Sequence, residues 1–133
     1  MVVVTNANVL TVGIDGKAQM LRELKINVVS VRFGAEAVRS LKSEKFDSVI
    51  SRWDLDDLKD GRFLKGLKNI KPDIPTIAII ESGNTFQEIS ARALGVSAVI
   101  TEDEGDEHFR KLISQLLGLE ESEICSIYAT LEV

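Results

Sequence analysis

Five short apolar runs, each followed by a stretch of helical period, are the feature that most limits what this chain can fold into. Val9-Leu10-Thr11-Val12 reads as a strand, and Asp15 then starts a helix with Met20, Leu21 and Leu24 on one face. Val28-Val29-Ser30-Val31 reads as the second strand, followed by a helix over Ala35 to Ser43 with Ala37, Val38 and Leu41 facing inward. Ser48-Val49-Ile50 is the third strand, and after an acidic loop a short helix carries Phe63, Leu64 and Leu67. Pro75 to Ile80 is the fourth strand. Thr85-Phe86-Gln87-Glu88 has the pattern of a capping box opening a helix, with Phe86, Ile89 and Ala93 expected inward. Ser97 to Ile100 is the fifth strand. A last helix follows over about Asp106 to Leu117, with Phe109, Leu112, Ile113 and Leu116 as its apolar stripe and Gly118 as its C-cap.

Strands that are apolar throughout, joined by helices, imply a parallel sheet covered on both faces. The expectation is therefore α/β: one doubly wound (βα)5 domain over 1–118, with residues 119–133 as a separate tail. A chain of 133 residues is long enough to bury a real core. The net charge of −5 and scattered basic residues argue against a nucleic-acid binder. The single Cys125 excludes an internal disulfide and a multi-cysteine metal site. No apolar segment approaches a membrane span, and MVVVTNANV lacks the basic and hydrophobic regions of a signal peptide, so the expected location is the cytoplasm.

In doubly wound folds ligands sit beyond the C-terminal ends of the strands, here the loops after Val12, Ile50, Ile80 and Ile100. The richest is FDSVISRWDLDDLKDG, Phe46 to Gly61, with Arg52, Trp53 and then Asp54, Asp56, Asp57 and Asp60. Acidic loops at strand ends commonly carry chemistry. Arg52, however, can neither accept a phosphoryl group nor ligate a divalent cation. No loop has the glycine-rich turn that cradles a nucleotide phosphate, which argues against a flavin or nucleotide enzyme.

These segments resemble the receiver domain of bacterial two-component response regulators, a flavodoxin-like fold. FGAEAVRSLKSEKFDSVI (33–50), ARALGVSAVI (91–100) and the βα register carry the likeness, which spans roughly Asn8 to Leu117. It implies a strand order of 2-1-3-4-5. It also implies where a catalytic set would lie, and each of those positions is changed. The acidic pair that helps hold Mg²⁺ falls at Gly13 and Ile14, with Asp15 one step beyond. The phosphoacceptor aspartate falls at Arg52, the hydroxyl residue at Ile80 followed by Glu81, and the lysine at Glu102. Phosphoryl transfer to a carboxylate needs a nucleophilic Asp, a divalent cation and a cation for the acyl phosphate. The resemblance thus implies a pseudo-receiver with no catalytic residue and no cofactor, a signalling module that binds a protein partner. The family's usual contact surface corresponds to residues 84–117 here.

Arg52 and Glu102 occupy two family positions that lie close together, with their charges exchanged. They are expected to pair across the old pocket in a partly buried salt bridge; the alternative is that both point to solvent. Under a second functional reading the chain is still a phosphoacceptor, using Asp54 or a neighbour with Mg²⁺. Asp54 lies two residues past Arg52, on the same face of an extended segment, and Asp15 and Asp54 are then the metal candidates. Asp15 is otherwise a helix N-cap, and the other aspartates a solvated loop. The acids Glu102, Asp103, Glu104, Asp106 and Glu107 favour the start of the last helix. His108 reads as a surface residue. Trp53 belongs to a contact patch or tucks against the sheet. The tail ICSIYATLEV alternates apolar and polar residues, the pattern of a half-buried strand that pairs with a sheet edge of its own chain or of a second copy, or else a stub of a longer chain.

Overall fold

The computed structural model describes residues 7–22 and 24–118, apart from the side chain of Asp15. The strands are β1 (Ala7–Val12), β2 (Ile26–Val31), β3 (Ser48–Arg52), β4 (Thr76–Ile80) and β5 (Ala98–Thr101). They alternate with α1 (Asp15–Leu21), α2 (Gly34–Ser43), α3 (Arg62–Ile70), α4 (Thr85–Leu94) and α5 (Asp106–Leu116). All neighbouring strands pair in parallel, in the order β2-β1-β3-β4-β5. The expected architecture is the one formed.

Two apolar cores lie on opposite faces of this sheet. One is built from Leu10, Val12, Val49, Ala78 and Ile80 against α2, α3 and α4. The other joins Val9, Ile50, Ile77, Ile79 and Ile100 to Ala18 and Leu21 of α1 and Phe109 and Ile113 of α5. The central strands β1, β3 and β4 contribute to both, which is why their sequences are apolar without alternation.

Several local expectations are corrected. Asp15 is the first residue of α1 and not its N-cap; Ile14 holds the cap position without a side-chain bond. The helix stops at Leu21, so Leu24 packs from the turn that follows. At α4 the cap is Asn84, whose side chain accepts from the Gln87 N–H. The face of α4 is also rotated from the expected one. Gln87 and Ala91 are buried, while Phe86, Ile89 and Ala93 are exposed. In α5, Phe109 and Ile113 face inward as expected, but Leu116 is exposed. Gly118 follows α5 at φ 65°, the left-handed conformation of a helix-ending glycine. The tail 119–133, with its expected strand, lies outside the described residues.

Candidate functional site at the strand ends

β1 and β3 are central and parallel, so Gly13 and Arg52 emerge side by side at the C-terminal edge of the sheet. They open onto a cleft of about 390 Å³, also lined by Arg32, Asp54, Leu55 and Asp56. Across from Arg52, β5 ends and the chain turns at Glu102, whose N–H donates to the Ile80 carbonyl at 2.8 Å. Arg52 Nη2 then donates to Glu102 Oε2 at 3.0 Å. The ion pair across the cleft is present, but its burial differs from expectation. The two side chains are 42% and 41% exposed, so water screens them and the pair is a weak brace in place of a buried lock.

A second cleft of about 430 Å³, sharing Gly13 and Arg52 with the first, brings these two together with Ile14 and Glu102. Ile80 does not join them: it is buried in the core beneath α2, α3 and α4. Glu81 lies on the α4 side, where its N–H donates to Gln87 Oε1 at 2.8 Å. Gly13 has φ +74°, and a Cβ placed there would lie 2.7 Å from Leu55 Cδ2. The space beside the first strand is therefore already filled by an apolar side chain.

The acidic loop after β3 is tied down. Trp53 is buried, its ring lying over Gly61 so closely that a Cβ there would meet it at 2.3 Å. Leu55 is buried too, and its N–H donates to the Leu58 carbonyl at 3.0 Å. Asp54 accepts from the Asp60 N–H at 2.7 Å and from Gln87 Nε2 at 3.2 Å, one bond on each carboxylate oxygen. Asp57 accepts from the N–H groups of Gly34 and Ala35 at 2.8 and 3.0 Å, capping α2 from a distant loop. Burial pushes its carboxyl up, yet bonds from Gly34, Ala35 and its own N–H outweigh this and hold it below the ordinary value. Asp56 faces Arg32 at 3.5 Å. Asp56, Asp57 and Asp60 are exposed, as the sequence implied, and the loop's carboxylates also serve as caps and braces.

On the far side of the cleft, Lys17 of α1 donates to the Glu104 carbonyl and approaches Asp106 at 3.7 Å, with its ammonium over the Phe109 ring. Asp103 accepts from the Thr101 hydroxyl and from Ser82 Oγ, and these bonds lower its pKa. His108 is exposed and faces Glu104 one turn away.

Gln87, Leu55 and Lys17 shape this region and none stood out in sequence as a site residue, while Asp57, named there only as one of four loop aspartates, acts as a cap. A signal existed for Gln87 alone, since Gln87 and Ala91 are one helical turn apart. The rival stripe Phe86-Ile89-Ala93 has the same period and greater hydropathy, and it masked the other.

The fold is that of a receiver domain. Chemotaxis response regulator CheY4 of Vibrio cholerae superposes with a TM-score of 0.74 at 18% identity, over 84% of this chain and 99% of that one. The signal receiver domain of an HD domain-containing protein from Pseudomonas fluorescens Pf-5 gives 0.75 at 20% identity, over 92% and 96%. In sequence, transcriptional regulatory protein GlrR of Escherichia coli K12 is 29% identical over 75 residues, 56% of this chain. That match spans only 17% of GlrR. No protein-family model matches the chain.

Among the described side chains, positions 13, 14 and 52 offer no oxygen to a hard cation. Each oxygen of Asp54 accepts one hydrogen bond, and the side chain of Asp15, the other metal candidate, lies outside the described residues.

Proposed function

We propose that this chain is a non-catalytic, receiver-like signalling module of the cytoplasm that binds a protein partner independently of phosphorylation. The observation that carries the reading is Arg52 at the end of β3, paired with Glu102 at the end of β5. A guanidinium there supplies no nucleophile, and the carboxylate opposite repels a phosphate. Gly13 in its left-handed conformation against Leu55, and the two bonds on Asp54, support the same reading.

In a phosphorylatable receiver the 84–117 face would answer to the chemistry at the strand ends. Here Gln87 fastens α4 to the loop after β3 through Asp54 and to the end of β4 through the Glu81 N–H. The partner face is then held in one arrangement. It carries Phe86, Ile89 and Leu116, 76%, 63% and 44% exposed, the apolar character of a protein contact surface.

The test is an amide NMR titration with Mg²⁺ followed by beryllofluoride. The expected outcome is no specific shift at 13–15, 52–57, 80–82 or 102. Slow-exchange, Mg²⁺-dependent shifts centred on Asp54 would instead establish a receiver with a displaced acceptor.

A further inference from the structure

α2 and α3 lie side by side on one face of the sheet, and among the described residues none fills the furrow between them. Its walls are Val38 and Leu41 of α2 and Phe63, Leu67 and Ile70 of α3, enclosing about 170 Å³ with almost no polar surface. Ile70 is 72% exposed at its end. On α3 the lining positions 63, 66, 67 and 70 form one helical ridge, and the residue at 66 is glycine.

Gly66 has no evident role inside the described residues. It sits mid-helix, where glycine destabilises, and its φ is not left-handed. A Cβ placed on it meets nothing within 4 Å. The notch it leaves opens outward into the furrow, where another backbone can approach closely.

Charge indicates what approaches. Lys42, Arg62 and Lys71 line the furrow, and none of its lining residues is acidic. The chain as a whole carries −5, so this basic margin runs against the overall balance. We propose that the α2–α3 furrow is a docking site for an amphipathic helix of a partner protein. The helix's apolar stripe enters the groove over Gly66, and acidic residues on its flanks face Lys42, Arg62 and Lys71. This is a second contact face, independent of the 84–117 surface and of whether the strand-end cleft takes a phosphoryl group.

The experiment titrates the full chain with two synthetic helical peptides and follows its amide resonances. Both peptides carry leucines at i, i+3, i+4 and i+7; one is flanked by glutamates, the other by lysines. The glutamate peptide is expected to shift the amides of Val38, Leu41, Leu58, Gly66 and Ile70, and the lysine peptide to leave them in place. Lys42→Glu with Lys71→Glu should weaken glutamate-peptide binding roughly tenfold. Gly66→Leu should abolish it in a chain that remains fully folded, since the notch has room for a side chain and leucine favours the helix. Three results would overturn the proposal. The first is shifts centred on Phe86 and Ile89. The second is equal binding of both peptides. The third is concentration-dependent dimerisation abolished by Gly66→Leu, which would give the furrow to a second copy of the chain.

Discussion

The strand-end cleft and the α2–α3 furrow are both open to solvent, and they differ in how far their chemical groups are already engaged. At the strand ends, Arg52 has Glu102, Arg32 has Asp56 and Asp54 has Asp60 and Gln87, and on the adjoining loop Asp57 has the start of α2. A ligand entering there would have to displace contacts the fold uses. In the furrow the walls are apolar, and among the described residues none enters the glycine notch and no acid lines the groove beside its cations. A polar pocket with satisfied groups is structure, whereas apolar area left in water and cations left without a counter-charge are free to drive association.

Substitutions in the strand-end region should therefore destabilise the fold, while filling the furrow should not. The largest effect is expected at Gly61. There φ is +71° and a Cβ would lie 2.3–2.6 Å from the Trp53 ring. Gly61→Ala should cost about 2–4 kcal/mol in urea unfolding, because neither the buried indole nor the backbone can easily yield. A loss under about 0.5 kcal/mol would mean the loop after β3 is softer than its packing implies.

Gln87→Leu comes next. It keeps similar volume but leaves the Glu81 N–H and one oxygen of Asp54 without their partner. About 1–2 kcal/mol should be lost, together with faster hydrogen exchange in α4. Unchanged exchange would break the link drawn between the cleft and the 84–117 face.

Asp57→Ala should cost about 1 kcal/mol by removing the cap of α2, and Asp57→Asn considerably less. The pH dependence has a definite sign. Because the folded pKa of Asp57 is lowered, its contribution is present above the ordinary Asp value of ~3.9 and fades as pH falls through the lower folded value. The stability difference between wild type and Asp57→Ala should therefore narrow in acid. A difference that widens there would contradict the assignment.

The smallest loss belongs to the ion pair that marks the site. With both side chains about 40% exposed, a double-mutant cycle on Arg52→Ala and Glu102→Ala should give a coupling of about 0.2–1 kcal/mol, shrinking with added salt. In the furrow the sign reverses. Gly66→Ala should stabilise the chain by about 0.5–1 kcal/mol, since the added methyl meets nothing and the helix gains. Destabilisation there would show the notch to be occupied within the chain itself.

The architecture was legible because it rests on a property each segment carries alone. β1, β3 and β4 contribute to apolar cores on both faces, so their residues are apolar without alternation and announce a covered parallel sheet. Arg52 and Glu102 were singled out in sequence because their charges differ from what the resemblance asks. Their 3.0 Å contact was anticipated from the exchange of charges, but its exposure was not.

What the tertiary structure alone decided is which of several equivalent local choices the fold uses. Two stripes of equal period run along α4, and the sheet buried the one with Gln87 because its amide could bond both the end of β4 and the loop after β3. Four aspartates in one loop are alike in sequence, yet only Asp57 lies where the free N–H groups of α2 point. Gly66 reads as any helix glycine until α2 is laid beside it. Hydrophobic period and charge are properties of a segment, and so the chain carries them openly. Direction, partner and vacancy are properties of two segments brought together, and they exist only once the sheet has closed.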